Sequence, residues 1–279
     1  METTDCIPFE YAFNSNDVPV TGFRLVGVLH LPPLPGAANY TGQPVREMAE
    51  AAAEDAVVLH RAGFTDVMIQ DASDNPQPTT VAVPTVAALA VVGAEIRRHS
   101  PVSLGVVAGH NDGPAAVAIA HAIDAQFVRV KVLTGVSVGP TGFMEGCALQ
   151  VAQMKRLLGS SVEVWADAHE ATSRAVTGDL HWAAAEALSF GGADALVVTR
   201  DSGVPDAISD IAALKAQLGS GTRVMIGGRV GTGTLDAAMH GSDGAILGSV
   251  LKTGSGYDAR IDPEVAGRLG ASYAAFLNR

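Results

Sequence analysis

Cysteine, aromatic residues, charge and long apolar runs are all scarce in this 279-residue chain. Its two cysteines, Cys6 and Cys147, form neither a disulfide framework nor a zinc-ligand spacing, so the small stapled folds and zinc ribbons drop out. No close ligand pair such as His-x-x-x-His occurs, which leaves no local metal motif. Basic residues are outnumbered 18 to 29, for a net charge of -11. A chain of that balance lacks the basic face that nonspecific binding of nucleic acid or anionic membranes requires. No apolar stretch reaches the roughly 20 residues that cross a bilayer. The first residues carry Glu2, Asp5 and Glu10 without a basic leader, which predicts no secretory signal and a reduced, cytoplasmic setting.

What the chain does have is Ala, Val and Gly, with 48% apolar residues overall. Small and β-branched side chains suit helices packed closely on a parallel sheet. Residues 1–22 show no pattern and read as an N-terminal extension. From Phe23 onward, short apolar runs alternate with Ala-rich helical stretches. The predicted strands are Arg24–His30, Asp66–Asp71, Val102–Val107, Phe127–Leu133, Val162–Asp167, Ala195–Thr199, Arg223–Ile226 and Gly244–Leu247. Helices are predicted near 45–62, 83–98, 113–123, 145–158, 179–190, 206–218, 232–239 and 263–277. Pro84, Pro114 and Pro263 stand near helix starts, and Gly63, Gly159 and Gly191-Gly192 follow helix ends. Eight such units over 23–279 predict one α/β domain, a (β/α)8 TIM barrel. A doubly wound open sheet is the rival, but no G-x-G-x-x-G turn follows the first strand.

Barrels of this kind place their active sites at the C-terminal ends of the strands. There the sequence puts His30, Asp71, His110-Asn111, Arg129, Lys131, Asp167, His169 and Thr199. Arg129 and Lys131 lie two apart and so share a face, with Val128, Val130 and Val132 turned to the helices. Charges pointing into a barrel are either paired or bind something. Candidate catalytic groups are His30, Asp71, Lys131, Asp167 and His169, with the imidazoles and carboxylates moving protons. Lys131 would stabilise an enolate or oxyanion, or form a Schiff base. Candidate substrate contacts are His110, Asn111, Arg129, Glu145 and Thr199. The reading requires no cofactor, and a divalent metal held by His and Asp stays open. Phosphate is expected on the loops after the last two strands, at Gly227, Gly228, Arg229, Gly248 and Ser249. Glycine lets backbone amides approach the anion, and Arg229 adds a cation.

Several of these stretches together resemble the BtpA family. They are Gly27-Val-Leu-His-Leu-Pro-Pro-Leu-Pro-Gly36, Val83-Pro-Thr-Val-Ala-Ala88, Asn111-Asp112, Phe127-Val-Arg-Val-Lys-Val-Leu-Thr-Gly135, Glu145-Gly146, Ala166-Asp167-Ala-His169, Gly191-Gly-Ala-Asp-Ala195 and Asp243–Lys252. The resemblance implies a TIM barrel related in outline to phosphate-binding barrels, and founding members linked to photosystem I biogenesis, which is an assembly phenotype. Five positions depart from the expected pattern. Gln70-Asp71 stands for Glu-Asn, His110 for Arg, Lys131 for Asn and Ala171 for Lys. A positive charge is thereby moved within the expected pocket, which suggests a divergent member with an altered substrate or reaction.

Three functions remain in view. The first is an enzyme of lyase, aldolase or isomerase type acting on a sugar phosphate or nucleotide. The second is glycosyl transfer or hydrolysis at a ribosyl carbon, with Asp71 or Asp167 stabilising positive charge. The third is a non-enzymatic assembly factor. The expected partner is a phosphorylated small molecule, with no nucleic acid or membrane span, and a homo-oligomer is expected. Lys131→Asn restores the family residue at the relocated charge and is expected to change the substrate preference or rate. A variant matching wild type in every ligand and turnover assay would end the idea of a divergent site.

Overall fold

The computed structural model of the chain describes residues 22–279 apart from Glu170, Thr177 and Tyr257. The expected extension over 1–22 therefore lies, up to residue 21, outside the described residues. In chain order the elements are β1 (Arg24–His30), α1 (Val45–Arg61), β2 (Asp66–Gln70), α2 (Val83–His99), β3 (Ser103–Val107), α3 (Gly113–Ala122) and β4 (Phe127–Val130). A hairpin of β5 (Val136–Gly139) and β6 (Gly142–Glu145) comes next, then α4 (Ala148–Leu158), β7 (Glu163–His169) and the short β8 (Arg174–Ala175). The chain closes with α5 (Leu180–Ser189), β9 (Ala195–Val198), α6 (Val204–Leu218), β10 (Val224–Gly227), α7 (Leu235–Gly241), β11 (Gly244–Leu247), a 3-10 turn at Ser249–Leu251 and α8 (Pro263–Leu277).

Strands β1, β2, β3, β4, β7, β9, β10 and β11 pair in that order into a closed parallel barrel. The TIM barrel expected from the alternating pattern is the fold. Helix starts follow their chemistry. Asp112, Asp179 and Asp262 accept amide bonds from Ala115, Trp182 and Val265 at 3.0, 2.9 and 3.2 Å. Pro84, Pro114 and Pro263 fall in the first turns of α2, α3 and α8.

Two features differ from the sequence reading. The fourth barrel strand stops at Val130 rather than Leu133. The Asn111 side chain draws the next residues off the ladder, accepting from the Val132 amide at 2.8 Å and donating to its carbonyl at 2.9 Å. The chain then enters the β5–β6 hairpin, which pairs with β8 into a separate antiparallel sheet. Glu145, expected at the start of a helix, instead ends β6 with its side chain exposed, and α4 begins at Ala148. A helical assignment of Glu145 follows from the helical run after it. The hairpin's four-residue strands are too short to announce themselves.

Alternation along the strands separates two cores. Leu25, Leu29, Val67, Ile69, Val128 and Val130 pack outward under the helices. Val26, Val28, Met68, Phe127, Trp165, Val197, Met225 and Ile246 fill the barrel. Where α8 crosses the end of α1, a Cβ on Gly270 would lie 1.6 Å from the Ala62 carbonyl oxygen, a backbone atom that cannot step aside. Gly270→Ala is expected to destabilise by about 3 kcal/mol through overpacking, measured by urea unfolding. On the same helix nothing lies within 4 Å of a Cβ at exposed Gly267. Gly267→Ala is expected to stabilise by about 0.5–1 kcal/mol. Equal effects at both positions would refute the close crossing.

Candidate active site

The same alternation layers the barrel interior. At the N-terminal end Arg24 pairs with Asp66, donating from Nε at 2.7 Å, and its guanidinium lies 5.6 and 5.0 Å from the Phe127 and Trp165 ring centres. Those two rings stack at 3.9 Å across the middle. Above them, at the C-terminal ends, the inward parity brings together His30, Gln70, Arg129, Lys131, Asp167, Thr199, Gly227 and Gly248. This is the end at which such barrels carry their active sites.

Arg129 and Asp167 are the firmest part of this layer. The guanidinium donates from Nε and Nη2 to the two carboxylate oxygens at 2.8 and 2.7 Å. Asp167 has a fully buried side chain and Arg129 is 13% exposed. A bidentate pair of this kind is geometrically specific, and removing either partner strands a charge in the barrel. A Cβ on Gly227 would fall 2.3 Å from the Thr199 hydroxyl and 3.3 Å from Arg129 Nη2, so packing alone requires a glycine there. The Thr199 hydroxyl is buried and has no hydrogen-bond partner among the described residues. A buried hydroxyl in that state is an opening for a ligand oxygen.

His30 and Lys131 form a second group with Asp71. Burial, then Lys252, then Lys131 hold the His30 imidazole down to about 4, so it is neutral at pH 7. Its ring lies against Gly248, where a Cβ would sit 3.0 Å from Cε1. Asp71 is fully buried and shifted upward by that burial. Both its oxygens accept the Gly109 amide, at 3.1 and 2.9 Å, and one also accepts the Gln77 amide at 3.2 Å. It clasps the turn after β3 and adds negative charge near Lys131. Neighbouring Asp74, likewise buried, is pushed up to about 6 by burial and by Asp71, and holds the Leu34 amide at 2.8 Å.

The remaining candidates separate by role. A bulge in β7 sets His169 beside the end of β9, where its Nδ1 meets the Thr199 carbonyl at 2.5 Å. His110 is buried, with Nε2 3.5 Å from the Thr172 hydroxyl. Asn111 ties down Val132 and also donates to the Glu145 carbonyl at 3.1 Å, which makes both residues part of the loop's framework. Gly228 and Arg229 both take left-handed backbone, with φ 72° and 58°, which turns the chain sharply after β10. Arg229 is 58% exposed and 3.7 Å from Asp201. Ser249 is exposed at the start of the 3-10 turn.

Two residues at this mouth, Gln70 and Lys252, are not among the site candidates that the sequence suggests. Gln70 is the inward neighbour of Met68, a position strict alternation identifies. Lys252 follows the last barrel strand and acts on His30 across the mouth. Among the described residues no group of three or more His, Cys, Asp or Glu is placed to hold a metal ion. No helix among them is long and apolar enough to cross a membrane. A cavity of about 250 Å³ opens beside Lys131, Asp167 and His169. A larger one, about 300 Å³, lies at the opposite end against Phe23, Arg24 and Phe276, away from every group of the layer.

Residues 22–272 match the BtpA family. The chain belongs to the BtpA family. An uncharacterized protein of Thermococcus kodakarensis is 38% identical over 244 residues, covering 87% of this chain and 90% of its own. The photosystem I biogenesis protein BtpA of Synechocystis is 29% identical over 242 residues, covering 86% and 84%. Among solved structures, a native KDPGal structure has a TM-score of 0.57 at 18% identity, covering 94% of this chain and 98% of that one. The (S)-3-O-geranylgeranylglyceryl phosphate synthase of Thermoplasma acidophilum, in complex with sn-glycerol-1-phosphate, also scores 0.57, at 14% identity with 90% and 93% covered. At these identities the neighbours establish the barrel fold of this BtpA-family chain.

The depressed His30 has a pH signature. The unfolded chain protonates this imidazole near pH 6.5 and the folded chain near 4, so between those values the unfolded state binds more protons. The His30 contribution to stability is therefore full above about pH 6.5 and is lost as pH falls toward 4. Subtracting the stability curve of His30→Gln from that of wild type removes the opposing slope of Asp74. The difference is expected to fall across that window, with the ring titrating near 4 by NMR. A His30 titrating near 6.5 would contradict the burial and charge environment described.

Proposed function

We propose that this BtpA-family chain is an enzyme acting on a phosphorylated small molecule, with proton-transfer chemistry of lyase or isomerase type at the C-terminal mouth of the barrel. The observation that carries the reading is the polar top layer: beyond an ion pair like the one at the opposite end, it gathers an imidazole, a lysine and an orphaned hydroxyl at one mouth of the barrel. A barrel used only as a platform has no need of such groups, since each costs desolvation. Neighbouring folds support the substrate class. One is a phosphate synthase bound to sn-glycerol-1-phosphate, and another is a 3-hexulose-6-phosphate synthase.

In this reading the phosphate lies on the turns after β10 and β11, against Gly227, Gly228, Gly248 and Ser249, with Arg229 as the outer cation. Thr199 donates its hydroxyl to a substrate oxygen. Arg129 is held on Asp167 and so keeps a fixed position beside the same oxygen. Lys131 stabilises the negative charge that develops when a proton leaves a carbon next to a carbonyl. His30, neutral at working pH, accepts or relays that proton, and His169 makes the second transfer. The same groups serve chemistry at a ribosyl carbon, where the Asp167 carboxylate faces the side cavity. The assembly reading, suggested by the Synechocystis relative's name, would use the exposed pair Val138 and Phe143 on the small sheet.

Thermal unfolding is to be followed with inorganic phosphate, sugar phosphates, nucleotides and their dephosphorylated counterparts, with and without divalent metal. A ligand at 100 times its Kd adds about 2.7 kcal/mol, a shift of several degrees. Phosphorylated compounds are expected to protect and their dephosphorylated counterparts to protect less. Arg229→Gly relieves a left-handed non-glycine residue, so it is expected to keep or raise the unliganded Tm while weakening that protection. Protection that ignores phosphorylation, or survives both Arg229→Gly and Gly228→Val unchanged, would refute the phosphate site.

A further inference from the structure

The side cavity has two kinds of wall. Its floor belongs to the polar layer, through Lys131, Asp167 and His169. Its upper part, under the small β5–β6–β8 sheet, is lined by Leu133, Val136, Leu180 and the indole of Trp182. Trp182 is 46% exposed, unlike Trp165, which is fully buried on Phe127. Its place at the rim is set by its surroundings. Asp179 caps α5 by accepting the Trp182 amide at 2.9 Å. Gly178 lies against the six-membered ring, where a Cβ would come within 2.2 Å of Cε3. An aromatic ring held this way at the edge of a cavity loses little freedom when a second flat ring covers it.

Charge at the rim favours a flat, acceptor-rich group. Arg174 and Arg200 line the cavity. Arg174 is exposed, donates to the Ser173 carbonyl at 3.2 Å and meets no carboxylate within 4 Å among the described residues. Sugar hydroxyls would call for carboxylates or side-chain amides. Among the described residues the two lining carboxylates are taken, Asp167 by Arg129 and Asp179 by the helix cap, and no Asn, Gln or Glu lines the space. At about 250 Å³ the cavity is smaller than the ~300–1,000 Å³ of a whole ligand site, so it suits one moiety of a larger ligand. The remainder has a route out. His169 of the cavity touches the Thr199 carbonyl, and the Arg129 guanidinium spans from Asp167 of the cavity to within 3.3 Å of a Gly227 Cβ position.

We propose that this cavity is the base pocket of a nucleotide, with Trp182 as the stacking ring and Arg174 at the base edge, which makes a nucleoside monophosphate the substrate class of the site. The inference rests on the phosphate reading above for the other end of the ligand. Base–aromatic stacking is tolerant of base identity, so purine and pyrimidine nucleotides both fit its main contact.

The test is a titration of the whole protein with AMP, GMP, UMP, ribose 5-phosphate and adenosine, read by tryptophan fluorescence and by thermal shift. Because Trp165 is sealed in the barrel, quenching reports on Trp182. Nucleotides are expected to quench and to bind at least about fivefold tighter than ribose 5-phosphate. Trp182→Leu is expected to abolish the quench and bring nucleotide affinity down to that of ribose 5-phosphate, which itself stays unchanged. Arg174→Gln, at an exposed site that leaves the ring in place, is expected to weaken nucleotides alone. Equal binding of nucleotides and ribose 5-phosphate, with both variants silent, overturns the base pocket and leaves the phosphate site standing. Quenching by adenosine with no gain from phosphate keeps the pocket and removes the phosphate site. Absence of binding by every compound overturns both.

Discussion

An eight-stranded parallel barrel can fill its interior only with every second side chain of each strand, and that constraint governs the rest of this molecule. Phe127 and Trp165 stack across the middle and leave no channel. Polar side chains with inward parity can therefore lie only above or below them. Below, Arg24 and Asp66 pair and the guanidinium sits over the two rings, which seals that end. Above, Arg129 and Asp167 pair in the same manner but share their layer with His30, Lys131 and Thr199. The two ends are thus built alike in their first ion pair and differ in what surrounds it.

That surplus at the upper end bears on how the proposed anionic substrate would be held by a protein of net charge -11. Long-range steering works against it, so attraction must come from cations held close together in a poorly screened space. Lys131 and Lys252 act together on His30, and their field with burial keeps the imidazole neutral. Asp71, buried and bound to the Gly109 amide, offsets Lys131 without reaching into the open mouth.

The small antiparallel sheet gives the mouth its shape. It is inserted where β4 ends early, held by Asn111, and it leans over β7 through the pairing of β5 with β8. Loops at this face of a barrel set specificity while the strands keep the fold. Val136 and Ser137 of β5, with Arg174 of β8, supply part of the cavity wall, so the sheet determines which group can sit above Lys131. The departures from the family pattern at Lys131 and Ala171 fall on the same side of the barrel, one on that floor and one just before β8.

The sequence by itself determined the barrel, its strand order along the chain and the inward parity of His30, Arg129, Lys131, Asp167 and Thr199. Alternation with a period of two on eight strands suffices for that, because a slip of one residue would turn Val128 and Val130 inward and the charges out. Glycines after the last two strands were equally visible, though Gly227 and Gly248 prove to have packing reasons in Thr199 and His30. Only the tertiary structure decided that Arg129 is spent on Asp167, that Asp71 and Asn111 clasp loops, that Glu145 ends a strand, and that Lys252 acts on His30. These are interactions between residues up to 222 positions apart, as His30 and Lys252 are, and no local spacing encodes a pairing across a closed sheet. The cavity under Trp182 was likewise invisible, since it exists only where a short hairpin, a capped helix and a bulged strand meet.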